Sequence, residues 1–406
     1  MAAPVSKDEI GALLKGVNAA AEALDLGDAS KAAEGRRALL TEAKKLVAAL
    51  EDPHAEVWPR AFQVNVGISV DIAWDLGVWD KLGKQDSVPL AEIVEETGAD
   101  GIVITRILRQ LTAAGLLVDV SDHRGPGYAL TSLGTPYLDP NHRSFNRLLL
   151  QTVVPNIRQV VEHMFTRSTG SVPSPKEVWS TLAQSPERAR DMAQGMRSLS
   201  TGSLAPTAFP FGEELQKLDI RDDEIAIVDI AGGQGHIMMD VRNRYPKLKG
   251  RIVIQDLPEV LDTVTGGPPK GIEFMPYNIF TPQPIRNSHV YYMRHIIHDW
   301  DDELVGVILQ QLIPILKERP GTKLLLADLV LSEMNTGMQE AIRDFTMFPV
   351  GGMERTESQW RHLLARNGLE IKKIWKGTEP EACVECTLAK RPEQHTAAVF
   401  GRERIS

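Results

Sequence analysis

Apolar residues recur at helical spacing through the first half of the chain and gather into short runs in the second half. Residues 8–50 are rich in Ala and Leu, with Ile10, Leu13, Leu14 and Val17 at helical spacing. This predicts one or two amphipathic helices that need a surface to cover. A further helix is expected from about Pro59 to Asp75, placing Val64, Ile68 and Ile72 on one face. The stretch from Ser87 to Gly134 then reads as a helix, a turn at Gly98, a helix through Leu111 and a short hairpin with its tip at Arg124–Gly127. That order is a winged helix-turn-helix. Helices are expected again over 144–167 and 185–205, separated by the Ser/Pro-rich loop Ser171 to Pro175.

From Ile225 onward short β-branched and apolar runs alternate with helices: Ile225–Ile230, Arg251–Asp256, Ser288–Met293 and Lys323–Val330. Strand and helix in alternation imply right-handed crossovers and a mostly parallel sheet covered on both faces, so the fold class is α/β, doubly wound. The chain is expected to divide into an N-terminal helical and winged-helix domain, 1–170, and a second domain, 171–406, holding the linking helices and the sheet.

Length agrees with that division, since 406 residues exceed what one hydrophobic core usually organises. The formal net charge of −9 repels phosphate backbones and anionic membranes, which favours a small-molecule partner over nucleic acid. A DNA-binding role for the winged element would rest on Arg106 and Arg109, but Glu92, Glu95 and Glu96 precede them and no basic stripe forms. No window approaches a membrane span, and the N-terminus lacks the apolar core of a secretory signal, so a cytoplasmic location is expected. The two cysteines, Cys383 and Cys386, lie in an alternating run that places them on opposite strand faces, so no metal site is expected from them.

The chemistry begins where the first of the later strands ends. Asp229 is followed by a glycine-rich turn containing Gly232, Gly233 and Gly235, and a helix is expected from about His236. Such a turn lets a ligand lie directly on the backbone at the carboxyl edge of the sheet. The next strand ends in Asp256, twenty-one positions beyond Gly235, a spacing that suits a carboxylate accepting ribose hydroxyls. A dinucleotide fingerprint would want a small residue where Met238 stands, and a pyrophosphate would be repelled by Asp229. A cationic nucleoside such as S-adenosylmethionine fits the acids better.

Farther on, YYMRHIIHDWDDE puts His298 just past a strand, with Asp299 and the acids after it opening a helix. Acids in a first turn are explained by the helix dipole and by capping. His298 is not explained in that way, whereas His295 reads as a packing residue at the strand exit.

With these motifs on the page, the winged module, VDIAGGQG, QDLP, YYMRHIIHDWDDE and GGMERTESQW together resemble the S-adenosylmethionine-dependent small-molecule O-methyltransferases of plants and fungi, over about residues 50 to 390. The resemblance implies a Rossmann-like sheet of the class I methyltransferase type, an N-terminal dimerisation domain and a homodimer. It implies that the glycine-rich turn holds the methionine part of the cofactor, that Asp256 holds the ribose, that Asn278 and Ile279 flank the adenine, and that Leu257 and Arg294 also touch the cofactor. It makes His298 the general base, with Asp328 and Glu354 flanking the imidazole. Asp328 stands where plant relatives more often carry Glu, so its reach is in question. Plain structural readings stay open for both acids, a strand-end cap for Asp328 and an N-terminal helix residue for Glu354. Met192, Met196, Phe345, Met347, Phe348 and Met353 are the candidates for the acceptor pocket, since soft or flat side chains suit an aromatic or polyketide-type metabolite. Some fungal members of the family are pericyclases that bind the cofactor without consuming it, and the sequence leaves that alternative open.

Overall fold

The computed structural model describes residues 6–52, 54–155, 207–264, 267–268, 270–334, 336–347, 352–377 and 381–389. These fall into two compact units, one holding the described residues up to 155 and the other those from 207 onward. The boundary expected at 170 lies outside the described residues, as does most of the helical stretch expected over 144–167 and 185–205.

In the first unit, Ser6 accepts the Glu9 N–H to cap the helix Lys7–Glu22, and Asp28 accepts the Lys31 N–H to cap Ala29–Leu50. The single helix expected from 59 to 75 is two, Val57–Phe62 and Val64–Asp75, meeting at Gln63. The winged element forms as expected in order. Its helices Leu90–Thr97 and Gly101–Ala113 present Ile93, Ile104, Leu108 and Leu111 to a core shared with Trp74 and Trp79. Strands β1 (Val88–Pro89), β2 (Leu117–Asp122) and β3 (Gly125–Leu130) make a small antiparallel sheet in the order β1-β3-β2. The hairpin turns at His123 and Arg124, so Gly125 to Gly127 belong to β3 and not to the tip.

The second unit is built on β4 (Ile225–Ile230), β5 (Arg251–Asp256), β6 (Ile272–Pro276), β7 (Val290–Arg294), β8 (Lys323–Leu331), β9 (Arg355–Thr356), β10 (Leu369–Lys376) and β11 (Glu381–Leu388). The strand order is β10-β11-β8-β7-β4-β5-β6, with β9 paired to β8. Pairings from β6 through β8 are parallel, while β11 against β8 and β10 against β11 are antiparallel. All six residues of β4 are buried, as a central parallel strand covered on both faces requires.

Two cores lie on the two sheet faces. One packs Trp300, Trp360 and the helices Asp302–Gln310, Ile313–Glu318 and Glu357–Arg366, and the other packs Phe209, Phe211 and the helix His236–Arg244. Cys386 belongs to the first and Cys383 to the second, so the two thiols do face opposite ways. The chain leaves β4 toward β5 and β6 on one side and returns to β7 and β8 on the other. Between β4 and β7 lies the switch point, where open α/β sheets collect ligands beyond the strand ends. No described helix is long and apolar enough to cross a membrane.

Candidate active site

Both strands at the switch point end in an unusual backbone. Ala231, just after β4, and His295, just after β7, are the two non-glycine residues with positive φ among the described residues, each at 55°. Left-handed backbone at a residue with a side chain costs about 1–2 kcal/mol, and such strain concentrates at sites where the surrounding structure must hold a particular geometry.

At the β4 end the glycine-rich turn is packed tightly. A Cβ at Gly232 would collide with the Asp229 carboxylate, and one at Gly235 with the Ile254 side chain, so either substitution forces its neighbour to move. Gly233 is different: its φ is 60°, and nothing lies within 4 Å of where a Cβ would be. Its N–H donates to Asp256 Oδ2 at 2.7 Å, while the Leu257 N–H donates to Asp256 Oδ1 at 2.7 Å. Asp256 is thereby fixed on both oxygens, each of which keeps a lone pair for a ligand hydroxyl. Leu257 is exposed beside it. Asp229 is buried, and burial pushes its carboxyl up to about 8, with Asp256 raising it further and Arg294 opposing. The Asp256 carboxyl is likewise raised, chiefly by burial. A buried acid and a half-buried one beside an open backbone suit a cation, and they disfavour a pyrophosphate.

The segment Asn278-Ile279 is tied to the same edge. The Tyr277 N–H donates to the Asp256 carbonyl at 2.8 Å, the Asn278 side chain accepts the Phe280 N–H at 3.0 Å, and Ile279 packs on the core. A buried pair that the sequence did not announce braces this loop: the amides of Gln255 and Gln283 exchange hydrogen bonds of 2.9 and 2.8 Å.

At the β7 end His298 sits in a short 3-10 turn, Ile297–Asp299, and is buried. Its Nδ1 lies 2.7 Å from Glu354 Oε1. Asp328 Oδ1 is 3.8 Å from the same nitrogen, beyond hydrogen-bond reach, as the shorter side chain foreshadows. Asp328 caps no strand end, because both its oxygens are buried with no hydrogen-bond partner. Glu354 does not open a helix, for it immediately precedes β9. The loop carrying Glu354 is pressed onto the His298 turn. Met353 N–H donates to the His298 carbonyl at 2.8 Å, and a Cβ at Gly352 would collide with that carbonyl, so the glycine is what permits the approach.

Two neighbours were given other parts by the sequence. Asp299 is no helix cap, since Asp301 caps Asp302–Gln310; its Oδ1 instead lies 3.5 Å from His298 Nε2. His295 is more than packing, because its Nε2 lies 3.0 Å from Glu381 Oε2 and its ring centroid 5.2 Å from that of His298.

Electrostatics follow from these contacts. Burial lowers the proton affinity of His298, but Asp328, Asp299 and Glu354 outweigh it and hold the imidazole up to about 10. Burial pushes Asp299 up to about 7 and also raises Asp328, opposed in both by His298. His295 goes the other way, to about 4, through burial and the Arg294 charge, and is neutral at ordinary pH. His295, His298 and Asp328 offer ligand atoms within 4.8 Å of one another. Yet the spacings of 3.8 and 4.0 Å from Asp328 exceed the edge of about 3.4 Å expected of a tetrahedral site with ~2.1 Å bonds, and Glu354 already holds His298 Nδ1.

The comparisons with known proteins bear on the family. A family model for the O-methyltransferase domain matches residues 150–370, and one for the O-methyltransferase dimerisation domain matches residues 68–140. The chain belongs to the O-methyltransferase family. Among the relatives of this O-methyltransferase-family protein is demethylsterigmatocystin 6-O-methyltransferase of Aspergillus flavus, 30% identical over 334 residues that span 79% of this chain and 84% of the relative. Its fold is shared with LepI solved in complex with SAM, with a TM-score of 0.79 at 24% identity over 94% of this chain and 99% of that one. A structure described as a pericyclic reaction enzyme matches with a TM-score of 0.79 at 24% identity, over 94% of this chain and 100% of that one. The cofactor of the family is S-adenosylmethionine, and the acid-lined, glycine-floored edge between β4 and β5 fits it on the observations above.

Of the candidate acceptor residues, Met192, Met196 and Phe348 lie outside the described residues. Phe345 and Met347 fall on the helix Met338–Met347, which reaches the site through Asp344, whose carboxylate accepts the Glu354 N–H at 2.9 Å. Met353 is half-buried next to Glu354.

Arg355, in the same GGMERT motif, is a contributor that the motif alone did not explain. Fully buried, it donates to the carbonyls of Ile297 at 3.0 Å and Trp300 at 2.9 Å, and to Asp302 Oδ1 at 2.8 Å. It fixes the turn that carries His298.

Proposed function

We propose that the protein transfers a methyl group from S-adenosylmethionine to a hydroxyl of a small aromatic or polyketide-type metabolite, with His298 as the general base. The observation that carries this reading is the 2.7 Å contact between His298 Nδ1 and Glu354 Oε1. A carboxylate on Nδ1 holds the Nδ1–H tautomer and leaves Nε2 with its lone pair toward the acceptor oxygen.

S-adenosylmethionine, when bound, supplies a methyl carbon made electrophilic by its sulfonium. Gly232, Gly233 and Gly235 give it a floor, Asp256 takes the ribose hydroxyls, Asn278 and Ile279 flank the adenine, and Asp229 and Arg294 set the charge at the strand ends. An un-ionised hydroxyl is a poor nucleophile, so His298 Nε2 accepts its proton as the oxygen attacks, which is typically worth ~10²–10⁴-fold. The imidazolium that results is stabilised by Glu354 on one nitrogen and by Asp299 near the other. In the cofactor-free protein His298 holds its own proton near neutral pH. It gives that proton up more readily when a cation is bound beside it, because like charges oppose each other. Phe345, Met347 and Met353 are the described candidates for the acceptor side in this reading, with Asp328 as a buried companion of the base.

The dimerisation-domain match and the exposed Ile102, Val103, Val118 and Leu133 in the winged unit support a homodimer. The neighbour described as a pericyclic reaction enzyme keeps a second chemistry in view, in which the cofactor is bound and not consumed. The Glu354-held imidazole favours methyl transfer, since a pericyclic step needs no base. Incubation with S-adenosylmethionine and candidate phenols, pyridones and polyketide precursors, followed by mass spectrometry, separates the two. S-adenosylhomocysteine with a product heavier by one methylene is the expected result. A product isomeric with its substrate, without S-adenosylhomocysteine, overturns it.

A further inference from the structure

Arg294 and Glu381 are 87 positions apart in sequence, yet Arg294 Nε donates to Glu381 Oε2 at 2.7 Å. The same oxygen lies 3.0 Å from His295 Nε2. Glu381 opens β11, which pairs antiparallel with β8 and so carries this carboxylate back to the edge where β7 ends. It is buried, and its two partners hold it ionised against the cost of burial.

We propose that Glu381 and His295 are positioning residues that join the cofactor end of β7 to the base: Glu381 clamps Arg294 and His295 together, and His295 in turn presents its proton-accepting Nδ1 to Asp328 beside His298. This rests on the methyltransferase reading of the site.

A carboxylate accepts only, so His295 donates its Nε2–H to Glu381, and the neutral ring keeps a lone pair on Nδ1. Nδ1 lies 4.0 Å from Asp328 Oδ1, which itself lies 3.8 Å from His298 Nδ1. The strained backbone of His295 is held by this clamp and by its N–H on the Ala327 carbonyl at 2.9 Å. Neither Asp328 oxygen has a hydrogen-bond partner, and the lone pair of the neutral His295 ring is what faces it across 4.0 Å. Among the described residues, the charged and titratable groups around His298 are Asp328, Asp299, Glu354 and His295; those around His295 are Arg294, Glu381, Asp328 and His298.

Burial is the main force keeping the Asp328 proton on, and the Glu381 charge adds to it. Neutralising Glu381 leaves a larger fraction of Asp328 ionised opposite His298, and more negative charge there makes the imidazole harder to deprotonate.

The test uses the full chain labelled with [15N]histidine, as wild type, Glu381→Gln and His295→Asn, the last chosen because Asn accepts left-handed backbone. Long-range proton–nitrogen spectra of the cofactor-free protein, across neutral and alkaline pH, read the tautomer of His295 and the titration of His298. Calorimetry with S-adenosylhomocysteine reads the cofactor site. Wild type is expected to keep His295 neutral with its proton on Nε2. In Glu381→Gln the single tautomer is lost, the His298 midpoint rises by about one pH unit, and S-adenosylhomocysteine affinity falls about tenfold, the scale of one hydrogen bond to a charged group. His295→Asn moves the His298 midpoint in the same direction. An unchanged midpoint in both variants, or unchanged affinity in Glu381→Gln, overturns the proposal, since the device joins both. A wild type that does not bind S-adenosylhomocysteine removes the methyltransferase reading as well, whereas a flat His298 response with intact binding sinks only the positioning role.

Discussion

Nδ1 of His298 lies 2.7 Å from Oε1 of Glu354, whereas the other acid expected beside it, Asp328, stops at 3.8 Å. One carboxylate therefore orients the ring, and the other acts on it through space. Removing the ring should abolish its contribution alone: His298→Ala is expected to lower kcat by about 10²–10⁴-fold while S-adenosylhomocysteine affinity by calorimetry changes little. Retention of full turnover in that variant would remove His298 from the chemistry.

A general base works only when it is neutral, and the carboxylates hold His298 above the ordinary imidazole value. The rate should therefore rise with pH through the neutral range and beyond, with its acid limb centred above ~6.5. Glu354→Gln takes away one charge that favours the imidazolium, so the limb should move to lower pH even as the maximal rate drops. A kcat/KM profile that is flat across neutral and alkaline pH in the wild type would contradict the assignment.

The glycines of the β4–β5 turn should respond differently to one added methyl. Gly233→Ala meets no protein atom and bears the left-handed backbone, a cost of about 1–2 kcal/mol, but its methyl stands on the floor where the cofactor would lie. Gly232→Ala collides with the Asp229 carboxylate and must displace it. Denaturant titration should show the larger loss of stability in Gly232→Ala, while calorimetry with S-adenosylhomocysteine should show lost affinity in Gly233→Ala; unchanged affinity in Gly233→Ala would place the cofactor away from this turn.

Arg355 bridges the carbonyls of Ile297 and Trp300 and the carboxylate of Asp302. Arg355→Ala leaves two buried carbonyls unsatisfied and should cost roughly 3 kcal/mol or more in a denaturant titration. Arg355→Lys should recover little of it, because an ammonium cannot span the fork that a planar guanidinium fills. A stability loss within 1 kcal/mol, on the order of a surface substitution, would contradict this role.

Much of the site could be read from local sequence because its parts are local. The glycine-rich turn between Asp229 and His236 is one strand exit, and Asp256 ends the following strand, so their spacing follows from a single crossover. The winged element was legible for the same reason, its helices and hairpin being consecutive. Strands β6 and β10 were not read: Ile272–Pro276 is a short and half-exposed run, and Leu369–Lys376 is interrupted by lysines. Asp299 was taken for a cap because acids before a helix usually are caps, and only the 3-10 turn shows that Asp301 has that task instead.

The order of residues by itself determined the central strands, where the backbone must turn without side chains, and which imidazole would stand at the sheet edge, since periodicity and glycine placement act over a few neighbouring positions. Tertiary structure decided which charges meet. The antiparallel return of β11 brings Glu381 to Arg294 and His295, the close approach at Gly352 brings Glu354 to His298, and one missing methylene keeps Asp328 out of reach. Coulombic and hydrogen-bonding partners are set by distances of a few ångströms across the fold, and no local pattern in the chain encodes them.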